Sequence, residues 1–237
     1  MDQDTLYVLI HSPLVGPLTW SLVADEMRRR GVEVSVPTLT DSPDSDEPFW
    51  KQQAQSVSQS LAQIPADTAL ILVAHSGAGS LLPVIRRRLP NPINAYVFVD
   101  AGLPQNGATR IDMMRSENLE WATQFQELLE AGGRFPTWSF AELQEAIPDE
   151  SLRWRMLDEI RPRGLDFFTE PIPVFDGWPD APCAYIQFSA AYERPALRAR
   201  QQGWITEQLT AGHFHMLVDP KVVADKILDV VNKAIGL

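Results

Sequence analysis

Short runs of apolar and β-branched residues alternate along this chain with longer segments that carry apolar positions every three to four residues. The short runs predict buried strands over residues 5–10, 32–36, 69–73, 95–99, 183–188 and 204–210. The longer segments predict amphipathic helices over residues 20–30, 48–63, 77–89, 193–202 and 220–235. This alternation is typical of an α/β fold, in which helices cover both faces of a mostly parallel, twisted sheet of about six strands.

One long interval breaks the alternation. Residues 105–180 contain several helical periods, such as ENLEWATQFQELLEAGG, and no good strand pattern. We therefore expect a helical cap, inserted into a core formed by residues 1–104 and 181–237. The interval carries 10 of the chain's 17 Trp and Phe residues. These aromatic side chains either line an apolar substrate pocket or form a small core within the insertion.

Composition and charge narrow the classes of partner. The chain has 31 acidic and 20 basic residues and a formal net charge of −11, which would repel the phosphates of nucleic acids and of anionic membranes. Its single cysteine, Cys183, excludes a disulfide framework and suits a reducing compartment. The first ten residues, MDQDTLYVLI, lack the basic start of a signal peptide, and no apolar run reaches the length of a membrane span. We therefore expect a cytoplasmic protein with no nucleic acid or membrane partner.

A serine stands where one predicted strand ends and a helix begins, in the segment ALILVAHSGAG. The small residues Ala74, Ala78 and Gly79 allow the sharp turn that would present Ser76 at the carboxyl end of the strand. A serine hydroxyl needs a positioned base before it becomes a good nucleophile. The amide of Gly77, at the start of the helix, would face an anion that forms beside Ser76.

These residues resemble the nucleophile elbow of the α/β-hydrolase family, whose pattern is small-x-nucleophile-x-small. Two further segments resemble the same family: VLIHSPLVGPLTW near the amino end, and AGHFHMLVDPKVVADKI near the carboxyl end. The resemblance therefore extends over nearly the whole chain. It implies an α/β-hydrolase fold with a helical cap, the chemistry of a serine esterase, thioesterase or lactonase, and no cofactor.

All four histidines fall in segments that this fold brings to the carboxyl edge of the sheet. His213 matches the family's catalytic base, because it follows glycine in the late histidine loop. His215 is then expected to line the pocket. By the same resemblance, His11 and His75 are expected to bind substrate together with Ser12.

The carboxylate expected to orient His213 is missing from the position that it usually has in the family. Family members usually place it just after the strand that here reads CAYIQF, but this sequence has Ala190 and Ala191 there. Two carboxylates are open alternatives. Asp100 ends the preceding strand, at a position similar to the one from which some haloalkane dehalogenases supply their acid, and Glu193 lies further along the later loop.

The expected oxyanion hole departs from the family as well. The resemblance assigns one donor to the amide of Gly77 and the other to the second residue after His11. That residue is Pro13, which has no N–H group. The amide of Leu14 or the hydroxyl of Ser12 could replace it, and hydroxynitrile lyases of this fold also carry a hydroxyl residue directly after the matching histidine.

The residues and the resemblance together favour a serine hydrolase that cleaves a carboxylic ester, thioester or lactone with an apolar part, through an acyl-enzyme on Ser76. One alternative is a lyase or cyclase that uses Ser76 and His213 only for proton transfer. Another is a catalytically silent ligand-binding protein on the same fold. The sequence offers no cluster of metal ligands, so we expect no metal, and the exposed cap is a possible homodimer surface.

Overall fold

A six-stranded sheet forms the centre of the molecule. The computed structural model describes residues 5–236; residues 1–4 and Leu237, which the predicted core includes, lie outside the described residues. The strands are β1 (Thr5–Ile10), β2 (Glu33–Ser35), β3 (Ala69–His75), β4 (Ile93–Val99), β5 (Cys183–Gln187) and β6 (Ile205–Gln208). Their order across the sheet is β2-β1-β3-β4-β5-β6, and all five pairings are parallel. The predicted α/β sheet of about six strands is confirmed.

Helices cover both faces of this sheet. The core contributes α1 (Leu18–Arg29), α2 (Phe49–Ser60), α3 (Leu82–Arg86), α8 (Glu193–Gln201) and α9 (Pro220–Ile235). Successive residues of a strand point to opposite faces. Tyr7 and Leu9 of β1 therefore join one apolar layer, and Leu6, Val8 and Ile10 join the other. Burial of both faces accounts for the nearly continuous apolar runs in the sequence.

The helix predicted over residues 77–89 is shorter than expected. A 3₁₀ turn occupies Ser76–Leu81, and the α-helix begins only at Leu82. Pro83 lies in the first turn of α3, the part of a helix in which a residue without an N–H group is tolerated. The small residues ahead of it form the tighter turn.

Four helices lie between β4 and β5, within the interval that broke the alternation. They are α4 (Arg110–Glu117), α5 (Leu119–Glu130), α6 (Glu150–Glu159) and α7 (Leu165–Thr169). An isolated bridge between Phe135 and Arg163 is the one strand-like pairing recorded in the described part of this interval. We call residues 105–180 the insertion; its action as a cap remains a prediction.

Candidate active site

Ser76 lies at a strained turn at the carboxyl end of β3. Its φ of 56° falls in the left-handed region, which side chains rarely adopt. The turn is tightly packed, because a Cβ atom on Gly79 would lie 2.1 Å from the carbonyl oxygen of Gly102. The Gly102 amide in turn donates to the Ser76 carbonyl at 3.2 Å. Close approach of these two segments therefore requires glycine at position 79 and fixes the backbone of Ser76.

Asp100 lies at the end of β4, next to the strand that carries Ser76. It has a φ of 43°, and among the described residues it is the only residue besides Ser76 that combines a side chain with a positive φ. Its fully buried carboxylate accepts hydrogen bonds from the amides of Phe188 and Ser189, at 2.9 and 3.0 Å, and from the Ser189 hydroxyl at 2.7 Å. The loop after β5, which lacks an acid of its own, thus holds the acid of β4 in place.

His213 completes this arrangement. Its Nδ1 lies 2.7 Å from Asp100 Oδ2. A buried carboxylate is an acceptor, so Nδ1 carries the hydrogen and Nε2 is left with a lone pair. The imidazole is partly exposed, whereas Asp100 is fully buried. Glu193, the alternative acid, is exposed in the first turn of α8, and the contact with His213 is made by Asp100.

Tyr192, which the sequence reasoning did not single out, contacts both Ser76 and His213. Its hydroxyl lies 3.1 Å from Ser76 Oγ, and its ring stacks on His213 with a centroid distance of 5.1 Å and an interplanar angle of 5°. Burial raises the pKa of the phenol above its ordinary value. The only signal in the sequence was its place in SAAYE, the loop from which the usual acid is missing.

His75 and His11, both predicted to bind substrate, are fully buried and contact the main chain. His75 Nε2 lies 3.0 Å from the carbonyl oxygen of His213, so this ring holds the histidine loop. His11 Nδ1 lies 2.8 Å from the Ser12 carbonyl oxygen, and His11 Nε2 accepts from the Leu39 amide at 3.0 Å. These contacts leave neither nitrogen of His11 for a substrate. Burial lowers the pKa of His11 to about 4 and that of His75 well below its usual value.

The loop after β1 approaches the elbow through Ser12 and Pro13. A Cβ atom on Gly77 would lie 3.5 Å from Ser12 Oγ and 3.6 Å from Pro13 Cδ. The Leu14 amide, predicted as the second oxyanion donor, already donates to Ser12 Oγ at 3.3 Å. Ser12 Oγ therefore accepts one hydrogen bond and keeps its own hydrogen.

His215, the remaining predicted pocket residue, begins a 3₁₀ turn and packs edge-on against Phe188 with a centroid distance of 6.0 Å.

Over residues 5–236, we find no group of three His, Cys, Asp or Glu side chains that could hold a metal ion. Nor does any helix in that range have the length and apolar character needed to cross a membrane.

The aromatic residues of the insertion form a small core of their own, one of the two functions considered from sequence; the other, lining a substrate pocket, stays a prediction. Phe125, Phe167 and Phe168 are buried in a small apolar cluster, against which Leu14 of the β1 loop packs. A row of edge-on contacts then leads from this cluster to the histidine loop: Phe125 to Phe135 at 5.3 Å, Phe135 to Trp138 at 5.6 Å, and Trp138 to Phe214 at 5.6 Å. Aromatic side chains of the insertion thus pack continuously up to the loop that carries His213.

Comparison with known proteins agrees with the fold. A family model described as the alpha/beta hydrolase family matches residues 7–226. Among curated proteins, none matches this chain. Similar solved structures include an extracellular alpha/beta-hydrolase from a Paenibacillus species, described as sharing structural and functional homology with tobacco salicylic acid binding protein 2. It is 19% identical, with 97% of this chain and 98% of that chain covered and a TM-score of 0.73.

Two other similar structures differ in their named activities. Tomato methylketone synthase I, in complex with 2-tridecanone, is 17% identical, with 98% of this chain and 99% of that chain covered and a TM-score of 0.73. A pyrethroid hydrolase from Sphingobium faniae is 18% identical, with 96% and 97% covered and a TM-score of 0.67. At these identities the likeness establishes the fold alone.

Proposed function

The chain belongs to the alpha/beta hydrolase family, and we propose that it is a serine hydrolase that cleaves a carboxylic ester, thioester or lactone. Ser76 Oγ attacks the carbonyl carbon, and His213 Nε2 accepts the hydroxyl proton and returns it to the leaving group. Water then releases the acyl group by the same route. Asp100 holds the imidazole tautomer and stabilises its protonated form.

The observation that carries this proposal is the contact of 2.7 Å between Asp100 Oδ2 and His213 Nδ1, with Tyr192 in contact with both His213 and the strained Ser76. Strained backbone persists where the surrounding structure enforces it, and such residues concentrate at functional sites. Here the strain is confined, among the described non-glycine residues, to Ser76 and Asp100. A structural role alone gives no reason for strain at these two residues.

The substrate class is inferred from the aromatic residues near the histidine loop. Trp138 packs on Phe214, the neighbour of His213, and continues through Phe135 to the aromatic cluster of the insertion, and such apolar surroundings suit an apolar acyl or alcohol part. One structure of the same fold is named as a pyrethroid hydrolase, which supports hydrolysis as the reaction of this chain. We infer a neutral substrate with an apolar moiety and no cofactor.

A proton-transfer reaction without an acyl-enzyme is the second candidate. Two observations favour it: Pro13 and the engaged amide of Leu14 leave few oxyanion donors, and methylketone synthase I, a similar structure, is not named as a hydrolase. In that case Ser76 and His213 would move a proton of the substrate, and no covalent adduct would accumulate during turnover.

A fluorophosphonate probe tests the proposal, because it phosphonylates serines that a neighbouring base activates. We expect intact-mass analysis to show one adduct on the wild-type protein and none on Ser76→Ala or His213→Ala. Turnover of p-nitrophenyl acetate, butyrate and octanoate should fall about 10⁶-fold in Ser76→Ala, as when the nucleophile of a serine protease is removed. Ser58→Ala, which changes a half-buried serine of α2, is the control and should behave as wild type.

Absence of an adduct from the wild-type protein would exclude an activated serine and lead to lyase assays. An adduct that persists in Ser76→Ala would move the nucleophile to another residue. A ligand-binding protein would give no product at any protein concentration, while its ligand-induced stabilisation would survive both substitutions.

A further inference from the structure

Tyr192 is placed against both reacting groups of the proposed mechanism. Its hydroxyl is the hydrogen-bond partner of Ser76 Oγ, at 3.1 Å, and its ring lies flat on His213. The residue ends the short 3₁₀ turn Ala190–Tyr192 and directly precedes α8. Tyr192 lies 116 positions after Ser76 along the chain and belongs to a loop, so the contact is not part of the pairing between strands of the sheet.

The site is short of groups that could stabilise an oxyanion. Pro13 has no N–H group, and the Leu14 amide donates to Ser12 Oγ. The Gly77 amide is then the main-chain donor left of those predicted from the sequence. A single main-chain donor, with only the Ser12 hydroxyl near it, is a poor arrangement, since loss of one oxyanion donor lowers the rate of acyl transfer by about 10²–10³.

The Tyr192 phenol has the properties of a further donor. Burial raises its pKa, so it remains protonated through the neutral range and can donate a hydrogen bond without losing its proton. In the tetrahedral intermediate the oxyanion and Ser76 Oγ are bonded to the same carbon. A donor within reach of Oγ in the free enzyme therefore needs only a small shift to reach the oxyanion.

We infer that the Tyr192 hydroxyl donates a hydrogen bond to the substrate's carbonyl oxygen as that oxygen becomes negatively charged. This inference rests on the proposed function. As Ser76 Oγ bonds to the carbonyl carbon, its proton passes to His213 Nε2 and the π-electron pair of the carbonyl moves onto the oxygen. Tyr192 stabilises this oxygen and keeps its own proton. On collapse the oxyanion's electron pair re-forms the carbonyl, the bond from the carbonyl carbon to the leaving group breaks, and His213 gives its proton to the leaving group.

The competing explanation is that the phenol merely covers Ser76. It predicts an effect of opposite sign, because removal of a hydroxyl that occupies the nucleophile would leave Ser76 freer to react. Tyr192→Phe separates the two explanations: phenylalanine keeps the ring that stacks on His213 and removes only the oxygen. Tyr7→Phe makes the same chemical change in a buried tyrosine of β1 and serves as the control.

The experiment measures kcat and KM for p-nitrophenyl butyrate, and the second-order rate of fluorophosphonate labelling, on wild type, Tyr192→Phe, Tyr7→Phe and Ser76→Ala. Thermal midpoints are recorded for all four. We expect Tyr192→Phe to lower kcat by about 10²–10³ with little change in KM, the pattern of an interaction made only in the transition state. The labelling rate should fall in parallel, and Tyr7→Phe should keep wild-type rates.

A kcat in Tyr192→Phe that equals or exceeds the wild-type value, at an unchanged thermal midpoint, would overturn this inference and leave the proposed function intact. A rise in KM with unchanged kcat would also overturn it, because the hydroxyl would then contribute only to ground-state binding. A wild-type protein that shows neither labelling nor turnover would refute the proposed function, and this inference with it.

Discussion

The carboxyl edge of the sheet and the insertion beside it are held by different kinds of contact. At the edge, Asp100 is fixed by donors from the ends of neighbouring strands and loops, above a continuous apolar core. The insertion buries Leu143, Ile147 and Met156 in the main apolar core, and long-range ion pairs join it to the core as well. Arg163 forms a two-point ion pair with Asp41, with Nη–Oδ distances of 2.6 and 2.8 Å. Donors at strand ends hold the edge in place, whereas the insertion combines apolar packing with individual long-range polar pairs.

Two glutamates of the insertion also complete helices of the core. α1 and α2 begin after prolines and have no side-chain cap of their own. Glu159 accepts from the Leu18 amide at 2.8 Å, and Glu170 accepts from the amides of Phe49 and Trp50 at 2.8 and 3.1 Å. Carboxylates at helix amino termini satisfy free N–H groups and the helix dipole. From these contacts we expect substitutions in the insertion to lower mainly the free energy of unfolding, and substitutions of the catalytic groups at the edge to lower mainly kcat.

The largest expected effect is at the edge. Asp100→Asn should lower kcat for the ester about 10⁴-fold, because an amide no longer holds the required tautomer of His213 or stabilises its protonated form. The mutant's Ser189 and Phe188 amides can still bond to the remaining side-chain oxygen. Steady-state kinetics with urea unfolding would check that activity falls far more than stability.

Glu193→Gln is the matched control for this change, since it removes an exposed carboxylate from the adjoining α8. We expect wild-type kcat. If Glu193→Gln were the more damaging of the two variants, the orienting acid would belong to the later loop, and the assignment of Asp100 would be wrong.

The next effect belongs to the insertion. Glu170 also accepts from Arg110 Nη1 at 2.8 Å, and both side chains are largely buried. Glu170→Gln would leave the Arg110 guanidinium buried without a carboxylate, which costs about 3–5 kcal/mol of unfolding free energy. Urea unfolding measures this loss, and kcat of the folded variant should remain within a few-fold of wild type.

Glu127→Gln removes an exposed glutamate of α5 in the same insertion and should change stability by about 0.5 kcal/mol or less. Equal losses in the two variants would show that the Arg110–Glu170 pair contributes no more than a surface charge. A large loss of kcat in folded Glu170→Gln would contradict the separation of the two regions.

The sequence predicted the strands and the strand-end positions of Ser76 and Asp100, because each lies directly after an apolar run. It did not predict Tyr192 or the two capping glutamates. The Glu159 and Glu170 contacts join residues about 120–140 positions apart, and periodicity carries no information about such pairs. The stack of Tyr192 on His213 depends on the path of the β5 loop, which the residue pattern leaves open.

The roles of the histidines at the carboxyl edge of the sheet could not be predicted from the sequence either. A histidine near a predicted site has the same signal in the sequence whether its ring meets a substrate or the main chain. Only the structure places His11 between the Ser12 carbonyl and the Leu39 amide. The interpretation of His11 as a substrate-binding residue does not fit these contacts, and its buried position has a consequence for stability instead.

The smallest of the expected effects is the acid sensitivity of this buried ring. Burial lowers the pKa of His11 to about 4 in the folded protein, against about 6.5 in an unfolded chain. The unfolded state therefore binds the proton first. The stability that comes from keeping the His11 ring neutral is therefore fully present above pH 6.5. It is lost as the pH falls towards 4, which lowers the free energy of unfolding by about 3 kcal/mol. Urea unfolding at intervals between pH 7.5 and 4 would measure this loss.

His11→Gln isolates the contribution, because glutamine can accept from the Leu39 amide but does not titrate. Its stability at pH 7.5 should lie below that of wild type, and the gap should close as the pH falls, since only the wild-type ring is penalised by acid. His75 is buried in the same edge and remains in both proteins, so the effect of its own burial is present in both. His215→Gln, which removes a partly exposed imidazole, should keep the wild-type acid loss. A constant gap between the stabilities of wild type and His11→Gln across the pH range would show that protonation of His11 is not the source of the acid loss.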